Sequence, residues 1–355
     1  MSIFDVLGKI KHVSSVASSI LSQESMAETG IKAFFDRRFS SYSSYIGSLD
    51  SLIYKDQDDF PLLRKRKMLA IYEDNKRIVG YLYEVNNPRG LILCVHGLGG
   101  LADDYFAIIQ NHFVEKGFDV LAIDLSASGR SDGLSIPGLQ QSAFDVNAVE
   151  RHIQNDPNLS KLPLFLFGFS WGAYGITASL NFNQNPRGVI ALSGFYKPIE
   201  IMTSIPGKYL PETIDQQKND LEKELAKRGE YSSLSSVDGI NKATNTAILL
   251  IHGDEDQIVN LEKASIFNRD FSRPVERYLA PKKGHGNIFL SYDSIRYGSK
   301  VFDKKKELEK NYSKKIKKID PAILKEFQDS FDKEETSQLD LKMFNIIDGF
   351  IERNL

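Results

Sequence analysis

The most informative stretch of the chain is residues 164–172, LFLFGFSWG. A short apolar run is followed by G-x-S-x-G, and then by the helix-compatible residues 173–180, AYGITASL. Such a run is typical of a strand buried on both faces. The motif places its serine on a tight turn between strand and helix, where flanking glycines avoid a clash. We therefore predict that the Ser170 hydroxyl projects above a sheet, beside a helix N-terminus that favours negative charge.

The same alternation of apolar runs and helical segments extends along most of the chain. Besides 164–167, strand candidates lie at 68–73, 78–85, 91–95, 118–123, 189–192, 247–251 and 275–279. Helix candidates lie at 103–116 and 139–154 and start again at Trp171. This pattern predicts an α/β protein with a mostly parallel central sheet flanked by helices. Ligands of such sheets bind beyond the carboxyl ends of the strands, so the residues after each run are the candidates for chemistry.

Composition excludes several classes of function. The 355 residues carry 45 lysines and arginines against 47 acids, so nucleic-acid binding through overall charge is not expected. The single cysteine, Cys94, allows neither an internal disulfide nor a sulfur-rich metal site. We expect no cofactor and no metal. No stretch approaches the ~20 apolar residues of a membrane span, and we expect a cytoplasmic protein, with peripheral membrane association as the alternative.

A serine nucleophile needs a base, and the sequence offers six histidines. They are His12, His96, His112, His152, His252 and His285. The first lies in the N-terminal segment, two fall within predicted helices, and two follow strands and precede glycine, where they shape loops. His285 alone lies between glycines just after the last predicted strand, and we predict that it is the base.

The base needs a carboxylate that orients it, and three acids follow the strand at 247–251. Asp254, Glu255 and Asp256 are all candidates by position. Asp256 is preferred because the pattern H-G-x-x-D-x-x-V puts it on the loop beyond the strand end. The order serine, aspartate, histidine along the chain differs from the orders in chymotrypsin and subtilisin.

The negative oxygen formed in acyl transfer needs two backbone N–H donors. One is expected from Trp171, directly after the nucleophile. The other is expected from the glycine-rich loop at 96–100, HGLGG, where we assign Leu98 and keep Gly99 as the alternative. Gly99 is also a candidate for substrate contact, since glycines allow close approach of the backbone.

Together these residues resemble the α/β-hydrolase superfamily, and within it the monoacylglycerol-lipase and serine-aminopeptidase group. The resemblance rests on HGLG at 96–99, DLSASGRSDG at 124–133, the turn at Ser170 and the Asp256–His285 pair. It covers about residues 67–295 and a last helix near 339–351. The segment at 124–133 departs from the family pattern because SAS at 126–128 replaces Arg-Gly-His.

The resemblance, together with the N-terminal extension and the lysine-rich segment that fall outside it, gives a predicted domain organisation. Residues 1–60 are predicted to form an N-terminal helical extension and linker, and residues 61–355 a hydrolase domain with a helical lid inserted at about 196–245 and a lysine-rich helical segment at about 296–335. The apolar residues of the lid either line an acyl pocket or pack ordinarily against the body. They are Ile199, Ile201, Met202, Ile205, Tyr209 and Leu210, of which Ile199 and Met202 are the preferred substrate contacts.

Two outlying segments have an open role. Apolar residues at helical spacing over 3–21 predict an amphipathic helix that packs on the body or on a second subunit, with a membrane-surface anchor as the alternative. Nine lysines between 300 and 318 indicate a solvated helix face, with a patch for anionic lipid or another acidic partner as the alternative. A weak membrane-surface contact through either segment is therefore an open expectation.

The predicted function is metal-independent cleavage of a small-molecule carboxylic ester through an acyl-enzyme intermediate. Ser170 attacks, His285 moves the proton and Asp256 orients His285. A serine aminopeptidase or an acyltransferase would carry the same three residues. A non-catalytic binding protein on this fold would lack one of them, and none is missing from the sequence.

Overall fold

The computed structural model describes residues 23–104, 106–183, 185–204, 214–229 and 231–355. The amphipathic helix predicted over 3–21 lies outside these ranges, as do the lid candidates Ile205, Tyr209 and Leu210. Nothing described therefore tests these predictions.

All eight predicted strands are present, and they form one sheet. They are β1 (Lys67–Glu73), β2 (Lys76–Tyr83), β3 (Leu91–Val95), β4 (Asp119–Asp124), β5 (Leu164–Phe169), β6 (Gly188–Leu192), β7 (Ala247–Gly253) and β8 (Glu276–Ala280). Their order across the sheet is β1-β2-β4-β3-β5-β6-β7-β8. The second strand is antiparallel to both of its neighbours, and all other pairs are parallel. The predicted mostly parallel sheet is thus confirmed.

Helices cover both faces of this sheet. They are α1 (Gln23–Phe35), α2 (Tyr42–Ile46), α3 (Asp50–Ile53), α4 (Ala107–Glu115), α5 (Gln141–Asn155), α6 (Trp171–Ala178), α7 (Pro198–Ser204), α8 (Ile214–Ala226), α9 (Ser236–Lys242), α10 (Tyr292–Asn311), α11 (Pro321–Asp329), α12 (Lys333–Thr336) and α13 (Leu341–Asn354). Short 3-10 turns lie at Gln57–Asp59, Pro61–Leu63, Leu159–Lys161, Ser179–Phe182 and Ile316–Lys318.

Two hydrophobic cores lie on opposite faces of the sheet. Successive strand side chains point to opposite faces, so β3 sends Leu91, Leu93 and Val95 into one core and Ile92 and Cys94 into the other. Helices α5 and α6 cover the first core, and α4 and α13 cover the second. This double burial explains why the central strands read as continuous apolar runs.

The helix predicted at 103–116 starts later than its pattern indicates. Asp104 is buried and accepts hydrogen bonds from the N–H groups of Leu101 and Phe106 at 2.8 and 2.9 Å. These bonds hold a turn ahead of α4, which therefore begins at Ala107.

Residues 36–60, which belong to the segment predicted to be an N-terminal extension and linker, pack closely on the rest of the protein. Leu49 and Ile53 are fully buried in a third apolar cluster. Their partners come from the C-terminal helical segment and are Val301, Leu308, Ile319 and Phe327. The first and last parts of the described chain thus share one small core.

The segments proposed for membrane contact remain predictions. In the described part of the chain, no helix combines the length and the apolar character that crossing a bilayer requires. Several lysines of α10 have protein partners, since Lys305 pairs with Asp50, Lys306 with Asp303, and Lys304 donates to the Ser330 carbonyl.

Candidate active site

Ser170 lies at a sharp turn between β5 and α6. Its backbone has φ 54° and ψ −113°, a region that residues with a side chain rarely adopt. The turn is possible because its neighbours lack Cβ atoms. A Cβ on Gly168 would lie 2.6 Å from the Gly172 carbonyl oxygen, and one on Gly172 would lie 2.2 Å from that of Val95. The predicted strand–turn–helix around the serine is therefore present.

The turn brings Ser170 within hydrogen-bond distance of His285. Ser170 Oγ lies 2.8 Å from His285 Nε2, and His285 Nδ1 lies 2.7 Å from Asp256 Oδ2. Ser170 is 5% exposed and Asp256 6%, so the chain of three groups is largely shielded from bulk water. The three residues that the sequence assigned to the site are brought together in the order that a proton transfer requires.

Asp256 is held as an anion on its loop. Its Oδ1 accepts hydrogen bonds from the N–H groups of Ile258 and Val259, both at 2.9 Å. Burial by itself would raise the pKa of Asp256, but the adjacent His285, together with His252 and the Val259 N–H, lowers it below its ordinary value. Asp254 and Glu255, the other acids considered, are exposed. Only Asp256 of the three meets His285.

The two histidines predicted to shape loops do so by hydrogen bonding. His96 Nε2 accepts the Leu125 N–H at 3.1 Å, and His252 Nε2 donates to the Val259 carbonyl at 2.9 Å. Burial lowers the pKa of both, which keeps them neutral. The hydrogen bond from His252 to Val259 therefore helps to hold the loop that carries Asp256.

The loop after β3 forms a tight turn beside the serine. The Gly100 N–H donates to the Gly97 carbonyl at 3.0 Å, and Gly99 has φ 81°, as in a type II turn. The hydrogen bond that closes the turn does not use the N–H groups of Leu98 and Gly99. A Cβ added to Gly97 would lie 3.3 Å from the Ser170 Cβ, so the loop is in contact with the serine.

Two residues near the site carried no clear signal in the sequence. The ring of Phe169 packs on the His285 imidazole with centroids 5.0 Å apart. Lys283 is fully buried, bonds to the Leu290 carbonyl and lies 3.1 Å from Asp340. It therefore fixes the loop that carries His285 to the start of α13. A lysine two residues before a loop histidine reads as a surface residue, so sequence reasoning missed it.

The preferred substrate contacts lie in the first core. Ile199 is buried, and Met202 is half-buried and packs against the same cluster. Helix α7, which carries them, is joined to α8 by an ion pair between Glu200 and Lys218 at 2.9 Å. Their contact with substrate and the lid itself remain predictions.

No set of three histidine, cysteine or acidic side chains is arranged to hold a metal ion in the portion of the chain that the structure covers. Cys94 is buried within β3, and burial raises the pKa of its thiol well above the ordinary value. The thiol is therefore protonated and serves as core packing.

A mostly parallel eight-stranded sheet with an antiparallel second strand, and a serine on the turn after the fifth strand, define the α/β-hydrolase fold. The chain has this fold. The model of the family described as "Serine aminopeptidase, S33" matches residues 86–226, which include the glycine-rich loop and the serine turn.

Relatives of described function match only parts of the chain. A proline iminopeptidase of Chitinophaga pinensis is 26% identical over 152 residues, which cover 42% of this chain and 49% of that protein. A caffeoylshikimate esterase of Arabidopsis thaliana is 31% identical over 101 residues, 28% of this chain and 30% of that protein. A multifunctional-autoprocessing repeats-in-toxin of Vibrio cholerae is 31% identical over 106 residues, 27% of this chain and 2% of the toxin. The chain thus spans half or less of the length of these relatives.

Similar solved structures include hydrolases of low sequence identity. An esterase of Pyrococcus furiosus is 18% identical with a TM-score of 0.49, over 69% of this chain and 92% of that one. An acylaminoacyl peptidase of Pyrococcus horikoshii is 18% identical with a TM-score of 0.49, over 74% of this chain and 44% of that one.

Proposed function

We propose that this protein is a serine hydrolase that cleaves a carboxylic ester through an acyl-enzyme intermediate. The observation that carries the proposal is the hydrogen-bonded series Ser170–His285–Asp256, with distances of 2.8 and 2.7 Å. A hydroxyl, an imidazole and a buried carboxylate in this arrangement form an activated nucleophile. The match of residues 86–226 to the family described as "Serine aminopeptidase, S33" supports hydrolytic chemistry.

In the first half-reaction, Ser170 Oγ attacks the ester carbonyl carbon while its proton passes to His285 Nε2. The N–H groups of Trp171 and of Leu98 or Gly99 bind the negative oxygen of the tetrahedral intermediate. The intermediate collapses, the ester C–O bond breaks, and His285 gives its proton to the leaving alcohol. Asp256 holds the imidazole in the required tautomer and stabilises its charged form.

In the second half-reaction, a water molecule attacks the acyl-enzyme and gives its proton to His285. The bond to Ser170 Oγ breaks, the proton returns to the serine, and the carboxylic acid leaves. Each half-reaction uses the same groups in opposite roles, so no metal or cofactor enters the proposed chemistry.

We prefer an ester to a peptide because of the ion pairs made by two acids between β6 and β7. An aminopeptidase needs a free carboxylate to bind the substrate's amino group. Two shielded acids in the described part of the segment between β6 and β7 are engaged, since Glu200 pairs with Lys218 and Glu224 with Lys227. The iminopeptidase similarity nevertheless makes aminoacyl anilides the necessary comparison substrate.

The test is a chain-length series of p-nitrophenyl esters beside aminoacyl anilides, with wild type and Ser170→Ala. We expect ester turnover by wild type and its loss to the background rate in the variant, because the variant has no nucleophile. Labelling of wild type by a fluorophosphonate should be absent in Ser170→Ala. Full esterase activity in that variant would contradict the proposal, and preference for anilides would reassign the substrate class.

A further inference from the structure

Residues 35–42, here called the strap, connect α1 to α2 and run past the glycine-rich loop. The hydroxyl of Ser40 donates a hydrogen bond to the Gly100 carbonyl at 2.7 Å. Gly100 closes the turn whose N–H groups at Leu98 and Gly99 are the oxyanion candidates. One side chain of the strap thus holds the turn from outside.

The strap also holds the far end of that loop. The Tyr42 hydroxyl lies 3.1 Å from Asp124 Oδ1, and the same oxygen accepts the Ala102 N–H at 3.0 Å. Asp124 is fully buried at the end of β4. The Asp124 carboxylate therefore links Tyr42 to Ala102, which lies two residues after the turn.

A third contact reaches the other oxyanion candidate, Trp171. The ring of Phe39 packs on the Trp171 indole with centroids 5.9 Å apart, and both side chains are buried. The Trp171 Nε1–H donates to the Leu139 carbonyl at 2.6 Å. Phe39 therefore packs against one side of the Trp171 side chain and helps to hold this residue in place.

The strap itself is anchored by an arginine and by backbone bonds. The Arg38 guanidinium donates to four carbonyl oxygens of the loop after β4, those of Ser128, Gly129, Ser131 and Gly133, at 2.6–3.1 Å. The Phe39 N–H donates to the Ala127 carbonyl at 2.8 Å, and the Gly129 N–H donates to the Ser40 carbonyl at 3.2 Å. The planar guanidinium of Arg38 donates to several carbonyl oxygens whose positions are fixed by the loop. These bonds therefore hold the strap in one position along that loop.

We propose that the strap is an integral part of the active site: Ser40 and Phe39 are positioning residues that set the geometry of the two oxyanion donors. This inference rests on the proposed serine-hydrolase function. The strap touches the glycine-rich turn on one side and Trp171 on the other, so it fixes the separation of the two donors. Preorganised donors contribute to catalysis only when they point at the position of the developing charge.

The test compares Ser40→Ala with Ser51→Ala. Ser51 belongs to the same N-terminal segment, but its hydroxyl donates only to the nearby carbonyls of Ile46 and Ser48. For Ser40→Ala we expect kcat on a p-nitrophenyl ester to fall about tenfold to a hundredfold, the cost of a small misplacement of catalytic groups. KM should change little because no substrate contact is removed. Ser51→Ala should match wild type. Phe39→Leu, which removes the aromatic ring that packs on Trp171, should lower kcat in the same way.

Fluorophosphonate labelling separates positioning from folding. We expect the whole Ser40→Ala sample to become labelled. Its second-order rate constant of labelling should be lowered in parallel with kcat. An unchanged labelling rate overturns it. A reduced labelled fraction with a normal rate on the remainder also overturns it, because the strap would then only support folding. Failure of the proposed function is recognised separately, since wild type would not label and Ser170→Ala would equal wild type.

Discussion

The backbone strain at Ser170 is imposed by its surroundings and fits its proposed role as the nucleophile. A non-glycine residue at φ 54° and ψ −113° costs about 1–3 kcal/mol, so the surrounding structure must impose it. The Ser170 N–H donates to the Leu192 carbonyl at 2.8 Å, and its carbonyl accepts the Tyr174 N–H at 3.0 Å. Both bonds come from elements already fixed by the sheet. The hydroxyl is thereby held 2.8 Å from His285 Nε2.

Asp256→Asn should lower kcat on an ester by about 10³–10⁴, because an amide cannot hold His285 in the tautomer that accepts the serine proton. Steady-state kinetics on p-nitrophenyl esters measures this loss. Asp254→Asn, two residues away and exposed, is the matched control and should retain wild-type kcat. Equal kinetics for the two variants would remove Asp256 from the proposed site.

Glu150 is a buried carboxyl on α5 that no proposed function uses. Burial raises its pKa to about 8, and the nearby Ser179 hydroxyl offsets only part of this effect. The folded protein therefore keeps a proton on Glu150 at pH values where the unfolded chain has released it. Its contribution to stability is complete below pH 4.5 and is lost progressively as the pH rises towards about 8.

Glu150→Gln keeps a neutral side chain of the same shape at every pH. The stability of the variant relative to wild type should therefore increase between pH 5 and pH 8 and level off above that. Urea denaturation at several pH values measures the difference. A difference that stays constant across this range would show that Glu150 is not protonated in the folded state.

At the scale of elements, the loop after β4 contains a position where the Asp124 side chain comes so close to the backbone that only glycine fits. Gly129 has φ 53°, and a Cβ on it would lie 2.1 Å from the Asp124 Cγ. Asp124 needs this proximity, because its Oδ2 accepts the N–H of Arg130 at 2.9 Å. The glycine and the buried carboxylate therefore depend on one another.

Gly129→Ala should destabilise the protein by about 3 kcal/mol or more, from the combined clash and left-handed backbone. The control is Gly298→Ala within α10, where an added Cβ meets no atom within 4 Å. That change should stabilise by about 0.5–1 kcal/mol, since alanine favours the helix. Chemical denaturation of both variants gives the comparison, and similar effects for the two would contradict the structural reading of Gly129.

At the scale of the whole molecule, the N-terminal segment and the C-terminal helices stabilise each other. Leu49 and Ile53 fill a cluster with side chains of α10 and α11. The Thr336 hydroxyl donates to the Ile53 carbonyl at 2.6 Å, and the Ser337 hydroxyl accepts the Lys55 N–H at 3.0 Å. The two hydrogen bonds join positions 283 and 282 residues apart in the chain.

Ile53→Ala should destabilise the protein by about 2–5 kcal/mol, because it leaves a cavity in this small core. Hydrogen exchange of α10 and α11 should accelerate together with that of α3, since the cluster is shared. Ile46→Ala is the control: Ile46 is 65% exposed, and its loss should change stability by less than about 0.5 kcal/mol. Faster exchange confined to α3 would show that the two segments are independent.

The eight strands, the serine turn and the Asp256–His285 pair could be predicted from the sequence because their signals are local. A strand buried on both faces must be apolar throughout, and a turn such as that at Ser170 admits only glycine at its tight positions. Asp256 could be preferred over its neighbours by its spacing to Val259, whose N–H it binds. Chemistry at the ends of parallel strands then follows from the topology.

Contacts between distant segments left no such signal. Ser40, Phe39 and Lys283 look like ordinary linker or surface residues, because the groups that they contact lie far away in sequence or belong to the backbone of another loop. The local pattern therefore determined the sheet and the serine turn. The strap, the shared terminal core and the support of the histidine loop depended on three-dimensional packing, since backbone carbonyls and aromatic faces accept partners from any part of the chain.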